Sequence, residues 1–326
     1  MLILLYFFTG KLFLVSTAFI LLGASWAFPH RLIKLCMQIS VLLSAIVTVV
    51  ILLSLFNGSY KFFQLVNIVD FMFGTEWKPY NTINEDYEIV MLFGILPLLV
   101  GTFLVTTIAI FFSAPIGLFS AIYLSKYAKT KTRNVIKPII ELLAGIPTVV
   151  YGYFAMNMVA PFICDIATYA GLSASAENAL AAGIVIGIMI IPLITSLVDD
   201  ILQTVPKSLY YGSLALGSTR AEAILKVILP SAKAGIFSAI LLAITRALGE
   251  TMIVLMATGI KSDLSFNPLN SITTVTVQIA TILKSDHDFN SPVTLSAYAL
   301  ALTLFIVTWI LNAIAFNVVK KYRVGY

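Results

Sequence analysis

The chain has 326 residues, of which 60% are hydrophobic and only 11% are charged, and its formal net charge is +5. A soluble globular domain carries about 25% charged residues, so this composition excludes an ordinary soluble fold and indicates an integral membrane protein. The two cysteines and two histidines show no spacing typical of a metal site, so we expect no metal and no cofactor. The positive charge is expected in loops between membrane spans rather than on a nucleic-acid surface.

Seven apolar segments approach the length of about 20 residues that a membrane-spanning helix needs. In chain order they are 12–28, 36–56, 91–124, 138–163, 179–198, 235–258 and 297–319. The first, 12–28, also has the length of a signal peptide, but the missing basic start and A-x-A site favour a retained helix. The segment 91–124 is longer than a bilayer is thick. We therefore expect a tilted helix, kinked at Pro97 and Pro115, whose outer end projects from the membrane.

The distribution of lysine and arginine predicts the orientation of these segments. With the C-terminus inside and the segments alternating, fourteen of the twenty basic residues fall inside and five fall outside. Because positive charge accumulates in cytoplasmic loops, the C-terminus is expected in the cytoplasm. The outer loops are then 57–90, 164–178 and 259–296. Asn267 and Asn270, in the last of these loops, are either turn residues or contacts for a soluble partner.

In the fourth segment, we expect Glu141 to pair with Lys137 near the start of the helix. Pro147, in the sequence Gly-Ile-Pro, is expected to bend the same helix because proline removes a backbone hydrogen bond. Tyr151 and Tyr153 either donate to an anion or pack against a local partner, and packing is the favoured interpretation.

The inner loop 199–234 has the pattern of a folded unit rather than of a disordered linker. Pro206 and Lys207 open a predicted helix that continues to about Leu216, and Gly217 ends it. The unit is either a surface hairpin between two spans or a docking element for a cytoplasmic partner.

A second helix follows in the same loop. A serine or threonine at 218–219 caps it, and it begins near Arg220. Glu222 and Lys226 are spaced for an i, i+4 ion pair in the favourable order. Pro230 is expected to end this helix before the next span begins.

The segment 235–258 carries two opposite charges, Arg246 and Glu250, near its middle. On a continuous helix both lie on one face with Ala243 and Gly249, whose small size allows another helix to approach. An arginine in mid-membrane costs about 2.5–3.5 kcal/mol, so both charges are expected to face protein or a wet cavity. Two interpretations remain open. The pair stabilises the helix bundle, or Arg246 meets a passing anion while Glu250 holds the arginine in place.

The loop resembles the EAA loop of ABC-importer permeases, in which a glycine is followed after nine residues by an Ile-x-x-Pro-like frame. Where that family has Glu-Ala-Ala, this chain has Tyr-Gly-Ser, which removes the family's glutamate. The resemblance implies contact with a separate ATPase subunit. The implied coupling residues are Tyr211, Gly212, Ser213, Gly217, Ile228, Leu229 and Pro230.

Three further stretches resemble the permeases of phosphate-specific ABC importers of the PstC type. They read ELLAGIPTVVYGYF at 141–154, FGTEWKP at 73–79 and RALGETMIVLMATG at 246–259. The resemblance implies an all-α polytopic membrane protein with the type I, MetI-like permease fold of six core spans. The resemblance starts near residue 36. We therefore divide the chain into an N-terminal extra span with its linker, 1–35, and a transmembrane domain, 36–326, which contains the coupling loop 199–234.

The same resemblance implies a permease subunit of an ATP-driven phosphate importer in the bacterial inner membrane. Its partners would be a PstA-type second permease, a PstB-type ATPase dimer, a PstS-type phosphate-binding protein and membrane lipid. The family links the Arg246-x-x-x-Glu250 pair to the passage of phosphate. The chain lacks the Gly-x-x-x-x-Gly-Lys-Ser/Thr loop of an ATPase, so we expect a non-catalytic subunit.

Two alternative functions remain open at this stage. The first is a permease for another oxyanion, sulfate or molybdate, which shares the loop frame. The second is an ion-coupled secondary transporter, for which Glu141 and Glu250 are the candidate acids in the membrane.

Overall fold

The computed structural model describes residues 30–83, 89–285, 288 and 290–322. The predicted first segment, 12–28, lies outside the described residues. The described elements are α1 (His30–Leu65), α2 (Ile68–Phe73), β1 (Trp77–Ile83), β2 (Ile89–Phe93), α3 (Leu96–Ile122), α4 (Thr130–Ala144), α5 (Thr148–Phe154), α6 (Ala160–Tyr169), α7 (Ala179–Thr204), α8 (Lys207–Ala215), α9 (Arg220–Ala223), α10 (Leu229–Leu248), α11 (Met252–Ala257), α12 (Val275–Ser285) and α13 (Pro292–Tyr322). Single π-helical turns join several of these helices, at Tyr123–Tyr127, Ala155–Val159 and Ile224–Ile228.

Six helical stretches of the described residues are long and apolar enough to cross a membrane. They are Ile33–Leu65, Leu96–Tyr127, Thr148–Tyr169, Ala179–Thr204, Arg220–Leu248 and Pro292–Asn317. Each of them overlaps one of the six predicted segments between residues 36 and 319. The prediction of a polytopic helical membrane protein is therefore confirmed, with a two-stranded hairpin added to it.

By its internal contacts the chain divides into two units, residues 1–57 and residues 58–326. In the first unit, the described part is the segment 30–57 of α1. The boundary that we proposed at residues 35–36 falls inside this helix.

The core of the second unit is built around α3 and α7, which lie against each other along their length. Gly183 of α7 allows a close approach, because a Cβ atom at this position would lie 2.5 Å from Cγ2 of Ile108. Lipid tails are as apolar as leucine, so packing at short range, rather than exclusion from water, holds such helices together.

A second core cluster forms where the hairpin covers the start of α3. β1 and β2 are antiparallel, with Trp77 opposite Phe93, and these two rings contact each other edge to face at 5.8 Å. Phe62 and Phe71 extend the cluster, and both are fully buried.

The predicted helix over 91–124 is wrong at its first residues, which belong to β2 and to the turn after it. Pro97 lies in the first turn of α3, where the missing backbone N–H leaves no hydrogen bond unmade. Pro115 does lie inside α3, as predicted.

The predicted span 138–163 begins later than expected. α4 ends at Ala144 with Gly145 as its C-cap, and Pro147 precedes the first residue of α5, so the bend predicted at Gly-Ile-Pro is a complete break between two helices. The span that crosses the membrane is therefore Thr148–Tyr169. Glu141 lies in the preceding helix α4, outside this span.

Candidate substrate path and coupling surface

The helix that carries Arg246 ends two residues after it. α10 ends at Leu248, Gly249 occupies the C-cap, and α11 begins only at Met252. The predicted continuous helix over 235–258 is therefore wrong. Glycine has a low helix propensity, and a cation in the last turn of a helix complements its dipole, which together favour an end at this position.

Glu250 lies in the break rather than on a helix face shared with Arg246. Its Oε1 atom accepts hydrogen bonds from the backbone N–H groups of Thr251, at 3.2 Å, and Ile253, at 3.5 Å. Its backbone carbonyl accepts a hydrogen bond from Oγ1 of Thr276, at 2.8 Å. Glu250 therefore caps the first turn of α11 and ties the break to α12.

The ion pairs of the described residues include none between Arg246 and Glu250. The expectation that Glu250 holds the arginine is thus corrected, because the helix ends between the two residues and they no longer share one helix face. Gly249 is exposed at the helix end, so it does not form the close helix contact that we predicted, whereas Ala243 is fully buried.

Arg246 itself is exposed on the surface of this chain. It follows Lys233 by thirteen residues on the same helix, which places it about 20 Å further along the helix axis. A hydrocarbon core is about 30 Å thick, so this arginine lies at membrane depth if Lys233 is near one surface.

Of the two tyrosines of α5, Tyr151 follows the packing interpretation, whereas the exposed Tyr153 does not pack within this chain. The hydroxyl of Tyr151 donates to the carbonyl of Leu143 at 3.0 Å and thereby bridges the break between α4 and α5. Tyr153 is 61% exposed. Asn267 and Asn270 bond to each other and to Ser265 within their own loop, as turn residues do.

We call residues 205–230 the loop unit. Its first helix, α8, begins at Lys207 after Pro206, as predicted. Gly217 follows α8 with φ +88°, in the left-handed region that favours glycine. No other heavy atom lies within 4 Å of the position a Cβ atom would take there, so the backbone conformation alone requires glycine.

Thr219 caps the second helix of the loop unit, α9, with a complete capping box. Its Oγ1 accepts the backbone N–H of Glu222 at 3.3 Å, and Oε2 of Glu222 accepts the backbone N–H of Thr219 at 3.0 Å. The predicted ion pair between Glu222 and Lys226 is confirmed at 3.1 Å.

Pro230 does not end the second helix, contrary to our prediction. The π-helical turn Ile224–Ile228 carries the chain directly into α10, and the N–H of Leu229 bonds to the carbonyl of Ile224. Proline is tolerated there because it lies in the first turn of α10 and the π-turn re-pairs the neighbouring groups. Of the predicted coupling residues, Ile228 is therefore buried in the core and Pro230 is exposed.

A buried carboxylate that the sequence analysis missed lies just before the loop unit. Asp199 of α7 has a side chain only 1% exposed, and its Oδ2 accepts bonds from Arg133 at 2.7 Å, Lys137 at 3.1 Å and Gln203 at 2.9 Å. Lys137 also bonds to Asp200 at 2.7 Å. Lys137 therefore pairs with these two aspartates and not with Glu141 as predicted.

This cluster of charges, which we call the Asp199 cluster, joins α4 to the end of α7. Its electrostatics are favourable, since the hydrogen bond from Lys137 to Asp200, with the nearby Asp199 carboxylate, raises the pKa of the lysine above its usual value. Lys137 therefore remains protonated at neutral pH. A doublet of aspartates ending an apolar helix, set against the basic run 126–137, is the sequence pattern that would have indicated it.

Residues 113–324 match the family described as binding-protein-dependent transport system inner membrane component. The chain is 32% identical over 245 residues to the "Probable ABC transporter permease protein YqgH" of Bacillus subtilis, covering 75% of each chain. It is also 32% identical over 284 residues to the "Phosphate transport system permease protein PstC" of Mesorhizobium japonicum, covering 81% of each.

Among solved structures, an inward-facing MetNI methionine ABC transporter is similar in fold, with a TM-score of 0.53 and 17% identity. The similarity covers 71% of this chain and 95% of that one. The chain therefore belongs to the family of binding-protein-dependent transport system inner membrane components, the multi-pass permease subunits of ABC transporters.

Proposed function

We propose that this chain is the PstC-type permease subunit of an ATP-driven phosphate importer and forms part of the path that phosphate takes through the membrane. The observation that carries the proposal is the exposed guanidinium of Arg246 at the end of an apolar span. Relatives that share about a third of its residues are named as phosphate transport system permeases.

The chemistry of Arg246 fits this role. An exposed charge on a membrane helix is costly in lipid, so its surroundings in the membrane are a wet cavity or a neighbouring subunit. Phosphate carries about −1.5 to −2 charges at neutral pH, and the planar guanidinium matches two of its oxygens at once. The carboxylate of Glu250 is bonded to backbone N–H groups and not to Arg246, so the guanidinium can bind an anion. Glu250 then contributes to the path by shaping the break.

ATP hydrolysis falls to a partner in this proposal, because the chain has no Gly-x-x-x-x-Gly-Lys-Ser/Thr sequence to hold a nucleotide. We place the loop unit in the cytoplasm against a PstB-type ATPase dimer, with the C-terminus on the same side, in the bacterial inner membrane. A PstA-type permease completes the path, and a PstS-type binding protein delivers phosphate from outside.

The test is uptake of radiolabelled phosphate by the assembled importer carrying Arg246→Gln, which keeps hydrogen-bond donors but removes the charge. We expect a reduction of tenfold or more, because a charge-assisted bond to phosphate is about twice as strong as a neutral one. Arg246→Lys is the matched control. It retains the charge without the planar fork and should keep part of the uptake.

The outcomes separate the parts of the proposal. Unchanged uptake by an Arg246→Gln importer that inserts and binds its ATPase would exclude the arginine from the path. Competition by sulfate or molybdate equal to that by unlabelled phosphate would instead indicate a permease for another oxyanion. Failure of the chain to co-purify with an ATPase would refute the proposed coupling to a PstB-type partner.

A further inference from the structure

We infer that the loop unit docks on an apolar pocket of the ATPase through Tyr211, and that the rim of this pocket is acidic rather than basic. The inference rests on the proposed function, since it describes the ATPase surface that the loop unit meets. Tyr211 stands at the position where the EAA loop of the family has its glutamate, so the side chain that meets the ATPase differs in this chain.

The loop unit presents large apolar side chains to solvent. Tyr211 is 63% exposed, Leu216 is 90% exposed and Leu225 is 62% exposed. Aromatic residues are enriched in the buried centres of protein interfaces, and truncating such a residue commonly costs tenfold or more in affinity. Tyr211 is the aromatic member of this exposed set.

The ring of Tyr211 contacts a neighbouring ring that is itself packed against the core. It contacts the ring of Tyr210 edge to face, with centroids 5.6 Å apart, and Tyr210 packs against the buried core. Ser213 points the other way, since it is 9% exposed and donates to Oγ of Ser218 at 3.1 Å. A rigid aromatic ring loses little conformational freedom when it is buried at an interface.

The carboxylate of the loop unit is already bonded within the unit. Glu222 is the single acidic residue among 205–230. Its Oε2 accepts from the N–H and hydroxyl of Thr219, and its Oε1 accepts from Lys226. The glutamate is thus committed to the cap and the ion pair inside the unit.

The remaining charges of the loop unit are positive. Lys207 and Arg220 join Lys226, so three basic residues stand against the one glutamate. Lys207 lies four residues before Tyr211 on α8, which places the two side chains on the same helix face. Electrostatic complementarity then requires acidic groups around the apolar pocket that receives the tyrosine.

The experiment compares three substitutions at one position. Membrane vesicles holding the chain with its second permease subunit are titrated with the ATPase, and the bound ATPase is measured by sedimentation. Tyr211→Phe should bind within about twofold of the original chain, because the ring is kept. Tyr211→Gln should bind about tenfold more weakly, because the aromatic contact is lost.

The Tyr211→Glu variant tests whether the rim of the pocket is acidic or basic. Glutamate and glutamine have the same shape, so the difference between them reports charge alone. We expect Tyr211→Glu to bind about tenfold more weakly than Tyr211→Gln, because the carboxylate would be desolvated without a cationic partner. Equal or tighter binding by Tyr211→Glu would overturn the inference, since it would reveal a basic group in the pocket.

The same titration distinguishes this inference from the proposed function. If the original chain binds no ATPase, the proposed function fails and the inference fails with it. If the ATPase binds and phosphate is taken up, but the order of the variants is reversed, only the inference about the pocket fails. Because Tyr211 is exposed, we expect all three variants to keep the fold.

Discussion

Two neighbouring aspartates at the end of α7 allow a controlled test of the Asp199 cluster. Asp199 is buried and accepts three side-chain hydrogen bonds through one oxygen. Asp200 is 62% exposed and forms one bond, to Lys137. Changing each aspartate to asparagine removes one negative charge from the same region with almost no change of shape.

The structure sets the size of the expected difference. Breaking a buried ion pair costs about 3–5 kcal/mol, because the opposite charges are left without compensation. Arg133 and Lys137 are 29% and 26% exposed, so water replaces part of what they lose. We therefore expect Asp199→Asn to lower the free energy of unfolding by about 2–4 kcal/mol. An exposed pair contributes about 0–1 kcal/mol, which is the loss expected for Asp200→Asn.

The assay is unfolding in mixed micelles with a denaturing detergent, followed by the fluorescence of the three tryptophans of the chain. The free energy of unfolding is compared for the original chain and the two variants. If the two substitutions lower it by the same amount, the buried carboxylate is not the centre of the cluster and our interpretation of its burial is wrong.

Three glycine-to-alanine substitutions are predicted to have different effects in the same assay. Gly183→Ala should lower the free energy of unfolding by about 1–3 kcal/mol, because the new Cβ atom would collide with Ile108. Gly212→Ala, in helix α8 with no other heavy atom within 4 Å of its Cβ position, should raise it by about 0.5–1 kcal/mol. Gly217→Ala has the same open space but should lower it by about 1 kcal/mol, because φ is +88°. Equal effects at Gly212 and Gly217 would contradict the assignment of the left-handed turn.

Local patterns were sufficient to predict that the six described spans exist, and to predict the cap and the ion pair of the loop unit, but not where every helix ends. Apolar length alone indicates each span, and the cap at Thr219 with the pair of Glu222 and Lys226 depends on residues at most seven apart. Caps and i, i+4 ion pairs form between residues that are close in the sequence, so a short stretch of sequence is enough to predict them.

The features that were missed depend on partners far away in the sequence. Arg133 and Asp199 are 66 residues apart, and the hairpin strands are stabilised by burial against aromatic residues of α1 and α2. No window of neighbouring residues contains the information that decides these outcomes.

The break at 249–251 shows how one such contact changes the chemical interpretation of a motif. On a continuous helix Arg246 and Glu250 face each other, and mutual neutralisation explains both charges. In the folded chain the backbone turns at Gly249, and the carboxylate of Glu250 instead caps α11 while Thr276 holds its carbonyl. The pairing interpretation thereby loses its negative partner. A charged side chain on an apolar span faces the protein interior or a water-filled cavity, and the proposed path for phosphate would supply such a cavity beside Arg246.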